Sequence, residues 1–489
     1  MRKQLKIGVP SISQQLSPFN IFSSDYEICR ALFSPLFKLS KSGELLSNVV
    51  KEWKEDVVNN EYILILREDV CFHNGRNVVA KDLEFTLCRG MMKGSRETFS
   101  QLLSDLIGYE KVREEAHYYP GMCPGIQVLG LYEIKLKLSA SNQLFLTYFT
   151  RSALSLVPKE ELEESNLWIW KNKPIGIGAY IYESISEDGK LLTLKRNSNY
   201  FDDFPNSFSE LLFIAYQNIS EVDLLAEVET VSQGDFALLP SPINVTIAIE
   251  YFMLNDNDEI WKDLRQLIST VIYESDILSS LSIEEKELYI PSKNFVPDKI
   301  IPKVTNEYKD TQLDFDGVKQ DFLKKWGEIP VLSVIIYENY TEQSNLRKMQ
   351  YGLYNILLEK GFNVIKTNMS SLSQEISENQ QHILVSSSSF NYNSPEDLSL
   401  FFSSNKEIYR AKTRELTYIR KLLKEGKKEK NLVERNKLYQ EIEHLIMQNK
   451  IVAPLALTYE YYLYRPSKFD GESFFGDFHQ PAYEYIIPR

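Results

Sequence analysis

The sequence predicts a mixed α/β fold, because helix-like and strand-like apolar patterns alternate along the second half of the chain. Apolar residues recur at helical spacing in three segments, residues 260–272, 343–358 and 432–447. Short apolar runs that are typical of strands alternate with them at residues 330–336, 362–366 and 382–386. Such alternation favours a sheet covered by helices.

The composition limits the class of protein. The 489 residues contain Lys+Arg 55 and Asp+Glu 68, which gives a formal net charge of −13. Charged residues make up 25% of the chain, with 20 Gly and 19 Pro, so disordered and low-complexity classes are excluded. At roughly 100–200 residues per domain, the length predicts two to four domains. The acidic balance argues against nucleic acid or an anionic membrane surface as the partner.

The first half is richer in strands. The predicted elements are a strand at residues 5–9, a helix at 25–36, a strand-rich stretch at 53–72, a helix that begins near Asp82, a strand at 127–138 and two strands at 180–185 and 191–195. Asn74 and Gly75 predict a tight turn, since both tolerate positive φ.

Gly176 and Gly178 lie one residue apart and allow two interpretations. A phosphate-binding loop is one, but the third glycine of the dinucleotide fingerprint is missing and a strand follows. The other is a close approach of two backbone segments, which only glycine permits. We expect the second.

The sequence gives few signals of compartment. Cys29, Cys71, Cys88 and Cys123 are too sparse to predict a disulfide framework. No apolar run approaches the roughly 20 residues of a membrane helix. The first ten residues lack the apolar stretch of a secretory signal, so we expect either a cytoplasmic protein or a trimmed, mature form.

No catalytic motif stands out. The five histidines are scattered, and the Glu441 to His444 spacing of di-iron bundles has no second copy. We therefore expect a protein that is not an enzyme, with no metal site and no cofactor. The 29 Tyr, 26 Phe and 5 Trp could line a small-ligand cleft or fill a core, and composition does not choose between these roles.

A set of short motifs, in a fixed order, spans nearly the whole chain. They are residues 16–18 (LSP), 32–37 (LFSPLF), 50–53 (VKEW), 66–70 (LREDV), 72–75 (FHNG), 80–85 (AKDLEF), 174–180 (PIGIGAY), 194–197 (LKRN), 439–442 (YQEI) and 452–455 (VAPL). In this order they resemble the extracytoplasmic solute-binding proteins of ABC importers, specifically the large oligopeptide/dipeptide-binding family, family 5.

The resemblance implies a two-lobe periplasmic-binding-protein-like fold of type II, large class, with an extra β-rich domain inserted into the first lobe. Lobe I would comprise residues 1–43, 175–250 and 465–489. The inserted domain would comprise residues 44–174, and lobe II residues 251–464.

The resemblance also implies a function. Such a protein captures an oligopeptide or peptide-like solute between its lobes by hinge closure and delivers it to a membrane permease with its ATPase. It would be a monomer in the periplasm or cell envelope, with no nucleic-acid partner, and the missing signal segment would reflect trimming.

The ligand-binding residues follow from the same resemblance. Peptide binders of this family pair an extended peptide with segments of both lobes. The expected residues are Asp25, Tyr26 and Glu27 in the first lobe and Ser387, Ser388, Ser389, Phe390, Asn391 and Tyr392 in the second.

Asn391 falls where the family has an aspartate that meets the α-ammonium of the peptide. A neutral amide there would leave an enclosed ammonium without a counter-charge. Our hypothesis is that the ligand lacks a free α-amine at this point, or that Asp25 or Glu27 meets the amine. Alternatively, Asn391 only caps the turn before Pro395.

Two other functions stay open at this point. One is a cytoplasmic ligand-sensing domain of a regulator, although such regulators carry a winged helix before the binding domain. The other is a binder of a non-peptide solute, such as a nickel complex, haem, glutathione or a sugar.

Overall fold

The computed structural model divides the chain into two compact units. It describes residues 3–13, 15–18, 23–95, 97–204, 207–216, 219–226, 234–253, 258–301, 314–337, 344–368, 381–390, 394–395, 397–402 and 414–489. Unit 1 comprises Met1–Val228, Ser232–Pro242 and Tyr461–Arg489, and unit 2 comprises Glu229–Val231 and Ile243–Glu460. The mixed α/β character that the sequence predicts is confirmed in both.

Unit 1 contains most of the strands. Its elements are β1 (Gln4–Val9), α1 (Ser23–Leu32), β2 (Phe37–Leu39), β3 (Leu45–Ser47), β4 (Val50–Asp56), β5 (Glu61–Leu66), α2 (Ala80–Met91), α3 (Glu97–Leu102), α4 (Tyr109–Glu114), β6 (Ile126–Val128), β7 (Glu133–Lys137), β8 (Tyr180–Ile185), β9 (Leu191–Arg196), β10 (Glu210–Ala215), β11 (Leu224–Leu225) and the first part of β12 (Ala237–Met253).

The main sheet of unit 1 has the order β8-β9-β10-β1-β11. Strand β1 pairs in parallel with β10 and β11, while β8, β9 and β10 are antiparallel neighbours. Leu5 and Ile7 of β1 and their register partners Leu211 and Phe213 are completely buried. The alternation at the start of the sequence thus places one face of β1 in the core.

Residues 44–174 carry a second, antiparallel sheet with the order β4-β5-β7-β6. In β5, Tyr62, Leu64 and Leu66 are buried and alternate with half-buried residues. Helix α2 contacts β6 and β7. The treatment of this stretch as a separate inserted domain stays a prediction.

Unit 2 has longer helices. Its elements are the rest of β12, α5 (Asp258–Glu274), α6 (Ile283–Lys286), β13 (Ile290–Pro291), α7 (Phe315–Trp326), β14 (Leu332–Ile336), α8 (Asn345–Glu359), β15 (Val364–Asn368), β16 (Gln381–Phe390), α9 (Asp397–Phe402), α10 (Arg414–Lys428), α11 (Leu432–Gln448) and most of β17 (Val452–Tyr464). The strand order is β15-β14-β16-β12, with β14 parallel to both neighbours and β12 antiparallel to β16. The chain passes between the units within β12 and within β17.

Two predicted elements have wrong bounds, and the helix start predicted near Asp82 is confirmed. The helix predicted at 25–36 ends at Leu32, because Pro35 disfavours helical backbone at the residue before it. The helix predicted to begin near Asp82 begins at Ala80, and the Asp82 carboxylate accepts a hydrogen bond from the backbone N–H of Val79 (2.9 Å). The single strand predicted at 127–138 is a hairpin, in which Leu129 and Gly130 both donate to the carbonyl of Glu133.

The close-approach interpretation of Gly176 and Gly178 is confirmed. A Cβ atom at Gly176 would lie 2.1 Å from the carbonyl oxygen of Leu32, and one at Gly178 would lie 2.4 Å from that of Ala31. The end of α1 therefore packs directly on this backbone. His73 fixes the same segment, since its Nδ1 accepts from the N–H of Gly176 (3.2 Å) and its Nε2 lies 3.0 Å from the carbonyl of Gly178.

His73 is a neutral, structural histidine. Burial lowers its pKa to about 4. Its two ring nitrogens contact the backbone of Gly176 and Gly178, and the backbone N–H of His73 donates to the carbonyl of Gly176 (2.9 Å). The FHNG motif (residues 72–75) and the GIGAY motif (176–180), about a hundred residues apart in sequence, are thus held together by hydrogen bonds.

The core of unit 2 surrounds a group of aromatic rings. Phe295 makes edge contacts with Phe390, Phe401 and Phe402. Beside this group, the Oε1 of Glu443 accepts hydrogen bonds from the N–H groups of Phe295 (2.9 Å) and Val296 (3.1 Å). Its Oε2 is buried and has no hydrogen-bond partner in the described part of the chain, and burial raises the pKa of Glu443 to about 7.

Membrane crossing has no support in the described ranges, where no helix combines the length and the apolar character that a bilayer requires. All four cysteines are free thiols, and Cys29, Cys88 and Cys123 are buried.

We predict that Gly178→Ala destabilises unit 1 by about 2 kcal/mol or more, because the new methyl group meets backbone atoms that cannot rotate away. Urea denaturation measures the change. Gly130→Ala is the matched control, since the nearest atom to its Cβ would be 3.8 Å away, and it should change stability by less than about 0.5 kcal/mol. Equal stability of the two variants would contradict the close approach.

We predict that Glu443→Gln stabilises unit 2 at alkaline pH. The folded-state pKa of Glu443, about 7, exceeds its ordinary value of 4.5, so the stability that protonation provides is full below pH 4.5 and is lost as the pH rises through 7. The variant should gain up to about 3 kcal/mol at pH 8 and almost nothing at pH 4.5. The exposed Glu441→Gln on the same helix is the control, and a gain independent of pH would contradict the assignment.

Candidate functional site

Helix α1 places the three predicted residues of unit 1 within its first two turns. Asp25 and Glu27 are buried, with 1% and 2% of their surfaces exposed, and Tyr26 is half-buried. A carboxylate in the first turn is favoured by the helix dipole. Two buried carboxylates this close together need hydrogen-bond or charge partners. The partners of Asp25 and Glu27 differ.

Glu27 is fully engaged within unit 1. Its Oε1 accepts hydrogen bonds from Arg30 (3.0 Å) and from the hydroxyl of Tyr462 (3.1 Å). Its Oε2 accepts from the hydroxyl of Tyr483 (2.5 Å). Both tyrosines belong to the C-terminal part of unit 1, so Glu27 ties α1 to that segment.

Arg30 completes this network. Its guanidinium lies 4.1 Å from the ring centre of Tyr26 and pairs with Glu27, both within α1. Burial alone would lower the pKa of Arg30, but Glu27 raises it well above its ordinary value. Tyr26 therefore shields one face of a structural ion pair.

Asp25 has an unused acceptor. Its Oδ1 accepts a hydrogen bond from the N–H of Ser13 (3.2 Å), whereas its Oδ2 is buried and has no hydrogen-bond partner among the residues that the structure describes. Burial raises the pKa of Asp25 above its ordinary 3.8. Of the two acids that the sequence suggested for meeting an amine, Asp25 has the acceptor to spare and Glu27 does not.

Strand β16 carries the described part of the second predicted segment. Ser387 is exposed, Ser388 is buried at 4% exposure and Ser389 is half-buried. Phe390 is completely buried in the aromatic core around Phe295, so in this structure its side chain is a packing residue. Asn391 and Tyr392 lie outside the described residues.

The two sides of β16 are paired to different lengths. Strand β12 pairs with all of β16, from Gln381 to Phe390. Among the described residues, strand β14 pairs with residues 381–383 and no further along β16. The side chain of Gln350, wholly buried, then continues the contact by donating to the carbonyl of Val385 (3.1 Å).

Beyond Val385, β12 is the one strand in the described part of the chain that pairs with Ser386, Ser387 and Ser388. The hydroxyl of Ser386 donates to Glu250 of β12 (2.8 Å). A short strand edge in unit 2 thus carries small, polar side chains, which allow another backbone to approach.

The structure brings Asp25, Tyr26 and Glu27 together on one helix and Ser387 to Phe390 together on one strand. Sequence reasoning missed Arg30, Tyr462, Tyr483 and Gln350. Tyr462 and Tyr483 lie 435 and 456 residues from Glu27, so no local pattern could connect them. Among the described residues, no group of three or more His, Cys, Asp or Glu side chains could hold a metal ion.

The fold, two α/β units joined by two strands that run between them, is that of the two-lobe periplasmic binding proteins. The family described as "Bacterial extracellular solute-binding proteins, family 5 Middle" matches residues 44–408. The chain belongs to this family, whose members are extracytoplasmic binding proteins of ABC importers.

Solved structures share the fold over the full length of the chain. The murein tripeptide binding protein MppA of Escherichia coli has a TM-score of 0.79 and 17% identity, and the match covers 100% of this chain and 99% of that one. The oligopeptide-binding protein AppA of Bacillus subtilis, in complex with a nonapeptide, has a TM-score of 0.77 and 14% identity over 100% and 99%. NikA of Staphylococcus aureus, in complex with Ni(L-His)2, has a TM-score of 0.74 and 14% identity over 99% and 100%.

At these identities the likeness establishes the fold. No match was found among curated protein sequences.

We predict opposite effects of neutralising the two acids of α1. Glu27→Gln should destabilise the protein by about 3–5 kcal/mol, because it leaves Arg30 buried without its counter-charge. Asp25→Asn should leave stability unchanged or raise it at pH 7, since the carboxylate with a raised pKa disfavours the folded state once it is ionised. Thermal unfolding of both variants tests this, and a larger loss for Asp25→Asn would contradict it.

Proposed function

We propose that this protein captures a peptide or peptide-like solute and delivers it to the permease and ATPase of an ABC importer. Family membership supports the solute-binding role. Proteins with the same fold, such as the nonapeptide-bound AppA and the murein tripeptide binding protein, support a peptide as the solute. In this proposal it acts as a monomer in the periplasm or cell envelope, with Asp25, Tyr26, Glu27 and residues 387–392 at or beside the solute.

The observation that carries the peptide assignment is the edge of β16. An extended peptide can add to a strand edge through main-chain hydrogen bonds, which are common to all peptide sequences. Within the described ranges, the pairing with β14 stops at Ile383, and the serines at 386–388 present small side chains next to the edge. Ser387 and Ser388 are the positions at which we place the peptide backbone.

The carboxylate of Asp25 is the proposed counter-charge for the solute's amine. Its Oδ2 is an acceptor that no described residue occupies, and a buried carboxylate gains most from a bound cation. Glu27 holds Arg30 and the two tyrosines instead, so its role is to fix the helix that carries Asp25. In this proposal Asp25 of unit 1 supplies the negative charge that the family's aspartate would supply at position 391.

Capture by closure follows from the physics of two-unit binders. A solute that contacts both units only in the closed state shifts the population toward that state. The protein then needs no catalytic group, and in our proposal its activity is binding alone.

The test uses a mixed pool of short peptides, from which the tightest binder is taken by calorimetry. N-acetylation of that peptide should weaken binding to the native protein at least tenfold, a difference of about 1.4 kcal/mol or more. Asp25→Asn should weaken binding of the free amine by a similar factor and make it insensitive to acetylation. Glu44→Gln, which changes an exposed carboxylate of unit 1, should bind like the native protein.

Two results would contradict parts of this proposal. Normal binding of the free amine by Asp25→Asn, or equal affinity for the acetylated peptide, would remove Asp25 from the site. Failure of every peptide in the pool to bind or to raise the unfolding temperature would contradict the peptide assignment itself.

A further inference from the structure

Unit 1 contains a cavity of about 750 Å³ that the proposed function does not use. It lies among residues of the stretch 44–174, where the end of α2 meets the segments around Tyr118 and Trp168. Its volume lies within the range of small-molecule sites, roughly 300–1,000 Å³. Met92, Leu162 and Leu167 give it an apolar part.

The lining of this cavity is positively charged, against the negative charge of the whole chain. Four cationic side chains line it: Arg89, Lys93, Lys159 and Lys171. Only two carboxylates do so, Glu160 and Glu164, and Glu160 already pairs with Arg76 (2.5 Å) from outside the lining. A cleft lined by one sign of charge concentrates ions of the opposite sign.

Two of the cations stack on aromatic rings. The guanidinium of Arg89 lies 4.7 Å from the ring centre of Trp168, and the ammonium of Lys159 lies 5.1 Å from that of Tyr118. A ring holds a cation in place without cancelling its charge. In the part of the chain that the structure describes, neither Lys93 nor Lys159 forms an ion pair, so both charges can act on a ligand.

Arg89 is the most deeply buried of these four cations. It is completely buried, and its Nη2 donates to the hydroxyl of Ser17 (3.3 Å). Burial lowers its pKa to about 9, which reflects the cost of removing a guanidinium from water. An anion in the cavity would be attracted to this charge.

We propose that this cavity is a second ligand site, which binds a small organic carboxylate with an apolar body. The exposed lysines bind the carboxylate, and the apolar residues contact the body of the ligand. The site lies wholly within unit 1 and does not depend on the proposed peptide site.

The test uses benzoate as the probe, with benzamide as its uncharged counterpart and acetate as the anion without an apolar body. Binding to the full chain is followed by saturation-transfer NMR and calorimetry up to about 10 mM, which detects affinities in the millimolar range. We expect benzoate to bind at least tenfold more tightly than benzamide or acetate, with an affinity that falls as salt is added.

Substitutions at Lys93 and Lys159 test the site without disturbing the fold, because both side chains are exposed. Lys159→Glu and Lys93→Glu should weaken benzoate binding at least tenfold. Lys54→Glu, which makes the same charge change at an exposed position of β4 away from the cavity, should weaken it less than twofold. Peptide affinity should be unchanged in all three variants.

Four outcomes would overturn the proposal. They are no benzoate binding up to about 10 mM, equal binding of benzamide, equal effects of Lys159→Glu and Lys54→Glu, and displacement of benzoate by a bound peptide. The last result would make the cavity part of the peptide site. Failure of peptide binding alone would contradict the proposed function and leave this site standing.

Discussion

Unit 1 depends on one buried ion pair, between Glu27 and Arg30. Its sheet is assembled from chain segments at both ends of the sequence, and something must hold the first helix to the last segment. Glu27 does so by accepting hydrogen bonds from Tyr462 and Tyr483, while Arg30 neutralises it. A buried pair of this kind contributes little net energy, but the loss of either partner is costly. It therefore specifies one arrangement of α1.

The position of Asp25 follows from that arrangement. Because Glu27 is saturated, helix α1 can present a second acid whose partner is left open. The two acids lie two residues apart, yet one is structural and the other is the proposed solute contact. In unit 2 the same division recurs on β16, where Phe390 packs in the core and Ser387 is exposed at the strand edge.

Local sequence patterns predicted helices and turns correctly where neighbouring residues alone determine the backbone conformation. Asn74–Gly75 forms the tight turn, and the helical spacing at 432–447 is helix α11. The hairpin at 126–137 was predicted as one strand, because its apolar residues alternate on both sides of Gly130 and hide the turn.

The candidate site was less predictable for a physical reason. The motifs located α1 and β16, but the role of each side chain depends on partners that are distant in sequence. Arg30, three residues after Glu27, is a local partner for that acid, but Tyr462 and Tyr483, which complete its hydrogen bonds, are distant in the sequence. Gln350 donates to the carbonyl of Val385, on the side of β16 that faces β14. It lies on helix α8, where no sequence motif marks it.

Amide hydrogen exchange with and without bound peptide shows whether the solute's backbone adds to the edge of β16. If it does, exchange slows on binding in fragments that contain Ser386–Ser388 and does not change in the exposed strand β4. Unchanged exchange at Ser386–Ser388 under saturating peptide would contradict this strand addition.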